Sequence, residues 1–383
     1  MPRKVSDAMN FGFTEEQELL RSEVRKFLDE NATMESVREW AEGDAGFSPG
    51  LWKQLAELGW LGLAIPEEHG GAGLDFVTLI VLLEETGRSL FPSPLVSTVL
   101  AAKAIERAGS EEQQARWLPG LAEGSRVGTL AVLEESDSLA PSGIALEGKA
   151  DGDNVRLSGT KRYVADAGCA DLFVVAFRSG HGAEEISLAV VEKDRPGVVA
   201  EDHPGMDLTK RIGVLELRDV EVTPAEVLGA IGGGWESLAW LQDVGATLVT
   251  AEMVGASEGA LSLVTDFARE REQFDSPIGR YQGVKHPLAE MYVDIESFKS
   301  LVYFAAWALD EEQDGAALAV SRAKAFASDA FARIGIDGVQ LHGGVGYTWE
   351  YDIQLYLKRS KWARPAFGDA DYHYARIADL GGA

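Results

Sequence analysis

From about residue 125 to 227 the hydrophobic pattern has a period of two, whereas on either side it repeats at the helical period. The runs "GTLAVLE", "VRLSGTKRYV", "ADLFVVAFR", "EISLAVVE" and "GVLELRDVEV" are short and β-rich, with Gly, Asp and Asn turns between them. No long helical pattern interrupts them. The middle of the chain is therefore expected to build an antiparallel sandwich or barrel, and the alternating β and α units of a Rossmann domain are disfavoured.

The flanks read differently. "FTEEQELLRSEVRKFL" opens with Thr14 and Gln17 in a capping box and carries Leu19, Leu20, Val24, Phe27 and Leu28 as one stripe. "DFVTLIVLLEETGRSL" and "SPLVSTVLAAKAIERAG" follow at helical period. After the glycine run "GAIGGGW" come three long helical patterns, which predict a bundle. In the first, Gly245, Ala246, Ala251, Gly255, Ala256 and Gly259 keep the helix thin, for close packing or for room around a ligand. The expected organisation is α+β: an α-helical N-domain over 1–122, a β domain over 123–228 and a helical bundle over 229–383.

Charge and motif content narrow the function. Lys and Arg total 35 against 62 Asp and Glu, a formal charge of −27, which repels nucleic acid and anionic lipid surfaces. No apolar stretch reaches the ~18 residues of a membrane span, and "MPRKVSDAMNFGF" has no apolar signal core, so a cytoplasmic location is expected. The single cysteine, Cys169, precedes an apolar run and reads as a core thiol. There is no P-loop, no G-x-G-x-x-G between strand and helix and no H-E-x-x-H. No metal site is expected.

Three stretches carry candidate chemistry. Arg271 and Phe274, read as one turn apart on a helix end and followed by Gln282, form a set able to clamp a diphosphate and cover a flat base. Gln340, Gly343 and Gly344 combine an amide with backbone open to close approach. "FGDADYH", Phe367–His373, crowds two carboxylates, a phenol and an imidazole around Gly368.

With these residues in place, the chain resembles the acyl-CoA dehydrogenase family of flavoproteins along nearly its whole length. The landmarks run in order: "FTEEQELLRSEVRKFL", "LAELGWLGLAIPEEHGGAG", "GTKRYVADAGCADLFVVAFR", "REQFDSPIGRYQGVKHPLAEM" and "QLHGGVGYTWEYDIQLYLKRS". The resemblance implies an N-terminal helical domain, a central β-barrel-like domain and a C-terminal four-helix bundle. It implies FAD between sheet and bundle, an acyl-CoA substrate, an electron-transferring flavoprotein as electron acceptor, and dimers or tetramers whose bundles contribute to a neighbour's FAD site. In the family reaction a carboxylate takes the α proton and the β hydrogen leaves as hydride to the flavin.

Residue by residue, the resemblance is uneven. Arg271, Phe274, Gln282, Gln340, Gly343 and Gly344 match the set that a subunit offers to its neighbour's adenine and diphosphate. A subunit's own flavin is held in the family by a T-E-P-x-A-G-S-D loop, which here reads Leu133-Glu134-Glu135-Ser136-Asp137-Ser138-Leu139, with two carboxylates expected near the diphosphate path. The family's flavin-covering Trp-x-Thr is Tyr163-Val164-Ala165, keeping an aromatic and losing the hydroxyl. Gly368 stands at the usual position of the base, and Gly245 at the alternative position used by a minority of members.

This pattern implies the base-lacking subunit of an α2β2 acyl-CoA dehydrogenase, sharing FAD with a homologous catalytic subunit. A second reading is a self-sufficient homo-oligomer using Asp369, or else Asp243, Glu252 or Glu258, as base. A third is a non-enzymatic acyl-CoA or protein binding module on the same fold.

Overall fold

A computed structural model describes residues 13–203 and 205–381; the reading of the extreme N-terminus falls outside them. Six helices come first: α1 (Glu15–Asn31), α2 (Met34–Glu42), α3 (Pro49–Glu57), α4 (Phe76–Arg88), α5 (Leu95–Ala108) and α6 (Glu111–Ala122). The α1 capping box forms as the sequence predicts, Thr14 accepting from the Gln17 amide and Gln17 from the Thr14 amide. One member of the predicted stripe is misplaced. Val24 and Leu28 are buried, but Leu19 is 61% exposed because it sits beside Leu20 on the helix and only one of two neighbours can face inward.

Strands β1 (Gly128–Ala131), β4 (Leu172–Arg178), β5 (Ile186–Glu192) and β8 (Val227–Leu228) form one sheet. Strands β2 (Gly148–Asp151), β3 (Asn154–Ala165), β7 (Ile212–Val222) and β6 (Val198–His203) form another. The alternation along β4 explains its apolar sequence. Leu172, Val174 and Ala176 pack with α5 and α6 residues such as Ile105 and Leu118, while Phe173, Val175 and Phe177 share a core with Leu157, Leu215 and Val220 of the second sheet. A strand covered on both faces reads as a continuous hydrophobic run. The arrangement is two packed sheets without a closed barrel. It departs from the antiparallel expectation in one pair, since β1 runs parallel to β4. The chain leaves β1, builds β2 and β3 in the other sheet and returns, so β4 enters in the direction of β1.

The C-terminal helices are α7 (Trp235–Glu270), α8 (Gln282–Asp310), α9 (Ala316–His342), α10 (Ile353–Ala363) and α11 (Ala370–Gly381). A short hairpin, β9 (Glu272–Gln273) and β10 (Ser276–Pro277), joins α7 to α8. The small residues of α7 serve contact with α4. A Cβ on Gly255 would lie 1.7 Å from the Glu84 carbonyl oxygen, and one on Gly87 would lie 2.2 Å from that of Glu252. These backbones touch, so at this crossing the thin face leaves no room for a ligand. Among the described residues no helix is long and apolar enough to cross a membrane, and no group of three His, Cys, Asp or Glu side chains is placed to hold a metal ion.

Candidate active site and cofactor surface

The turn between α10 and α11 brings Phe367 and Gly368 against α7. Phe367 has φ 56° and Gly368 φ 95°, both left-handed. The Phe367 ring lies over Gly245, where an added Cβ would come within 2.4–2.7 Å of three ring carbons. An aromatic ring therefore fills the space that a side chain at position 245 would take. A Cβ on Gly368 would meet the Tyr372 ring at 2.3 Å and His373 Nε2 at 3.0 Å.

The turn is tied from beneath. Lys324, on α9 and shielded from solvent, reaches the carbonyls of Arg364 at 2.9 Å and Gly368 at 2.8 Å and the Ser328 hydroxyl at 3.0 Å. Burial pulls its pKa down to about 7 against the opposing pull of Asp369. The three contacts suit a neutral amine as well as the cation, because two carbonyls accept and a hydroxyl can donate. His373 Nε2 lies 2.9 Å from the Phe367 carbonyl, and desolvation lowers this imidazole to about 4, leaving it a neutral donor to that oxygen.

Each carboxylate weighed as a substitute base is engaged. Asp369 is the N-cap of α11: its Oδ1 accepts the Tyr372 amide at 2.9 Å and its carbonyl accepts that of His373 at 3.1 Å. Asp243 takes a two-pronged contact from Arg376 of α11, and its burial is the largest influence raising its pKa. Glu252 pairs with Lys210 at 2.7 Å, both side chains under a tenth exposed, and Glu258 pairs with Lys299 at 2.7 Å. Gln242, beside Asp243, donates to the Leu139 carbonyl at 3.1 Å and ties α7 to the loop after β1.

In that loop the Glu134 carboxylate turns into the sheet, where it accepts from the amides of Ala145 and Leu146 and lies 2.7 Å from the fully buried Lys161. Glu135 and Asp137 face outward, Glu135 with its side chain 87% exposed and 2.9 Å from Arg162. Tyr163 lies in a bulge of β3, where the register with β7 slips between Lys161 and Val164, and has φ 54°. Its ring is 52% exposed. Val164 is buried, and Ala165 offers only backbone, its carbonyl accepting from Thr129 at 2.7 Å.

The remaining predicted residues gather on the outer end of the bundle. Arg271 and Phe274 are not one turn apart on a helix: α7 stops at Glu270, Arg271 caps it, and Phe274 occupies the hairpin turn with φ 54°. The reason is local. Phe274 and Asp275 both take left-handed backbone, which a helix cannot continue through. Phe274 is 88% exposed, the most open of the large apolar side chains among the described residues. Gln282 begins α8 and contacts His286 at 2.9 Å. Gln340 lies on the exposed side of α9, whose C-cap is Gly343 at φ 65°; neither Gly343 nor Gly344 has a neighbour within 4 Å of a Cβ. The two groups are joined by Phe267 of α7 stacked on His342 of α9, ring centroids 4.3 Å apart.

A cation, a flat ring, amides and open backbone on one exposed surface suit a diphosphate carrying a flat base. At the inner site each carboxylate weighed as a base has a partner, position 165 has no hydroxyl, and the Phe367 ring occupies the space beside Gly245. Sequence reasoning missed Lys324, Arg376 and the seating of Phe367, since none lies near its partner in the chain and no periodicity marks them.

Comparison with known proteins follows the same lines. Models of the acyl-CoA dehydrogenase N-terminal, middle and C-terminal domains match residues 14–125, 134–220 and 232–380. "Acyl-CoA dehydrogenase IpdE2" of Mycolicibacterium smegmatis is 32% identical over 348 residues, 91% of this chain and 93% of that protein. Among solved structures, a variant of the Tcur3481–Tcur3483 steroid acyl-CoA dehydrogenase superposes with a TM-score of 0.86 at 33% identity, covering 96% of this chain and 98% of the other. The ChsE4–ChsE5 complex from Mycobacterium tuberculosis gives a TM-score of 0.89 at 30% identity, covering 98% and 99%.

Proposed function

This chain belongs to the acyl-CoA dehydrogenase family, whose members use FAD, and from that premise we propose that it is the base-lacking subunit of a heteromeric acyl-CoA dehydrogenase. The observation that carries the reading is the Phe367 ring over Gly245, with the family's other base position, Gly368, in the same turn. Removal of an α proton needs a carboxylate within hydrogen-bond reach of the α carbon, and loss of a general base costs on the order of 10²–10⁴ in rate. Here neither position has a carboxylate, and Asp243, Glu252, Glu258 and Asp369 are held by other partners.

The chain's residues fit FAD unevenly. Its own flavin half does not fit: position 165 has no hydroxyl, and Gln242 fastens the loop that follows β1 onto α7. The half it would give to a neighbour does fit. Arg271 supplies charge for the diphosphate, Phe274 an exposed face for the adenine, Gln282 and Gln340 amide groups, and Gly343 and Gly344 unobstructed backbone. When bound in the partner, FAD supplies the hydride acceptor for desaturation of the acyl-CoA thioester, and an electron-transferring flavoprotein relays the electrons onward. This chain contributes binding and orientation at the far end of the cofactor. Two of the structural relatives carry paired subunit names, Tcur3481–Tcur3483 and ChsE4–ChsE5, which supports a two-chain assembly.

Expression of the chain alone and together with a homologous catalytic subunit tests the reading. Alone, it purifies with little flavin and does not desaturate acyl-CoA. A homo-oligomer with a full complement of FAD and robust turnover would sink it.

A further inference from the structure

The turn from Arg364 to Gly368 receives hydrogen bonds at three of its five carbonyls from two buried side chains, Lys324 at residues 364 and 368 and His373 at 367. Such a grip has something to oppose. Phe367 is a non-glycine residue at φ 56°, a left-handed conformation that strains a residue bearing a Cβ. Its ring lies where a Cβ on Gly245 would otherwise project. Lys324 touches neither Gly245 nor the exposed cofactor surface, and nothing in the chemistry above calls for a buried amine. Its contacts serve the turn.

We propose that Lys324 is a latch that seats Phe367 against α7 and keeps its ring over Gly245. The turn is pinned at its carbonyls, so motion of the ring requires loss of the Lys324 contacts as well as rotation of the side chain. Lys324 is thus a positioning residue whose effect is felt at Gly245, a residue it does not touch.

The test couples residues that lie apart and uses the full chain. Gly245→Ala is made in the parent, in Phe367→Ala and in Lys324→Met, and denaturation midpoints are measured. In the parent, Gly245→Ala lowers the midpoint sharply because the ring cannot yield. In both other backgrounds it has a much smaller effect, because the ring is absent or free to swing away. A lysine that only stabilises α9 would give additive effects with Gly245→Ala, and additivity overturns the latch. If Phe367→Ala does not fold, Phe367→Leu, which retains more volume, takes its place. Flavin content does not enter this experiment, so its failure is distinct from failure of the base-lacking reading.

Discussion

Asp166 provides a perturbation whose sign follows from the structure. Its Oδ2 accepts from Ser97 of α5 at 2.6 Å, and burial pushes its pKa up to about 6. The Ser97 bond and Lys210 pull the other way, while Asp202 and Glu252 add to the rise. The folded pKa is above that of the unfolded chain, so the group's contribution to stability is complete below about pH 4 and is lost as pH rises through 6. A difference of two pKa units corresponds to about 3 kcal/mol once the carboxylate is ionised, as an upper bound given residual solvent around the group. Asp166→Asn keeps an oxygen to accept the Ser97 bond and removes the charge. The variant is therefore expected to be more stable than the parent at pH 8, by about 1–3 kcal/mol, with the gap shrinking toward pH 5. Urea denaturation at both pH values measures this from midpoints and slopes. A gap independent of pH, or an Asn variant less stable at pH 8, would refute the reasoning, since either would mean that the Asp166 charge is solvated or compensated in the fold.

Other outcomes follow from the same contacts. Asp369→Asn is expected to leave stability within a few tenths of a kcal/mol, because Asn caps as well as Asp, whereas Asp369→Ala costs about 1 kcal/mol, read by thermal unfolding. If Asp369 were the base, the Asn variant would instead abolish turnover with flavin content unchanged. Arg376→Leu leaves Asp243 buried without its partner and lowers stability by about 3 kcal/mol, and Asp243→Asn in the same chain restores part of the loss. Gly255→Ala drives a methyl into the Glu84 carbonyl and costs about 3 kcal/mol by the same assay. In the co-expressed assembly, Arg271→Ala weakens FAD retention by about tenfold or more, read by flavin loss on dilution, with stability of the isolated chain unchanged.

The sequence carried the coarse architecture because period is a local property. The α1 capping box, the β-rich runs of the middle region and the three long helices after "GAIGGGW" are all legible over short windows. The departures arise where distant segments decide. Leu19 and Leu20 are equivalent by composition, and only the placement of α4 and its neighbours determines which is covered. The parallel pairing of β1 with β4 depends on an excursion of the chain into another sheet. Phe274 and Phe367 take left-handed backbone that no glycine or turn motif at those positions announces. At the candidate site, family resemblance located Gly245 and Gly368 but could not show what packs against them. The seating of Phe367 over Gly245, and the hold of Lys324 from 40 or more residues away in the chain, are tertiary facts.

The central claim is that this chain gives half of an FAD site and keeps none for itself. Its most direct measurement is the flavin-to-chain ratio, by absorbance and protein quantitation, of the assembly purified with a homologous catalytic subunit. The account predicts one FAD for each pair of unlike chains and almost none when this chain is purified alone. One FAD for every chain, in either preparation, would contradict it.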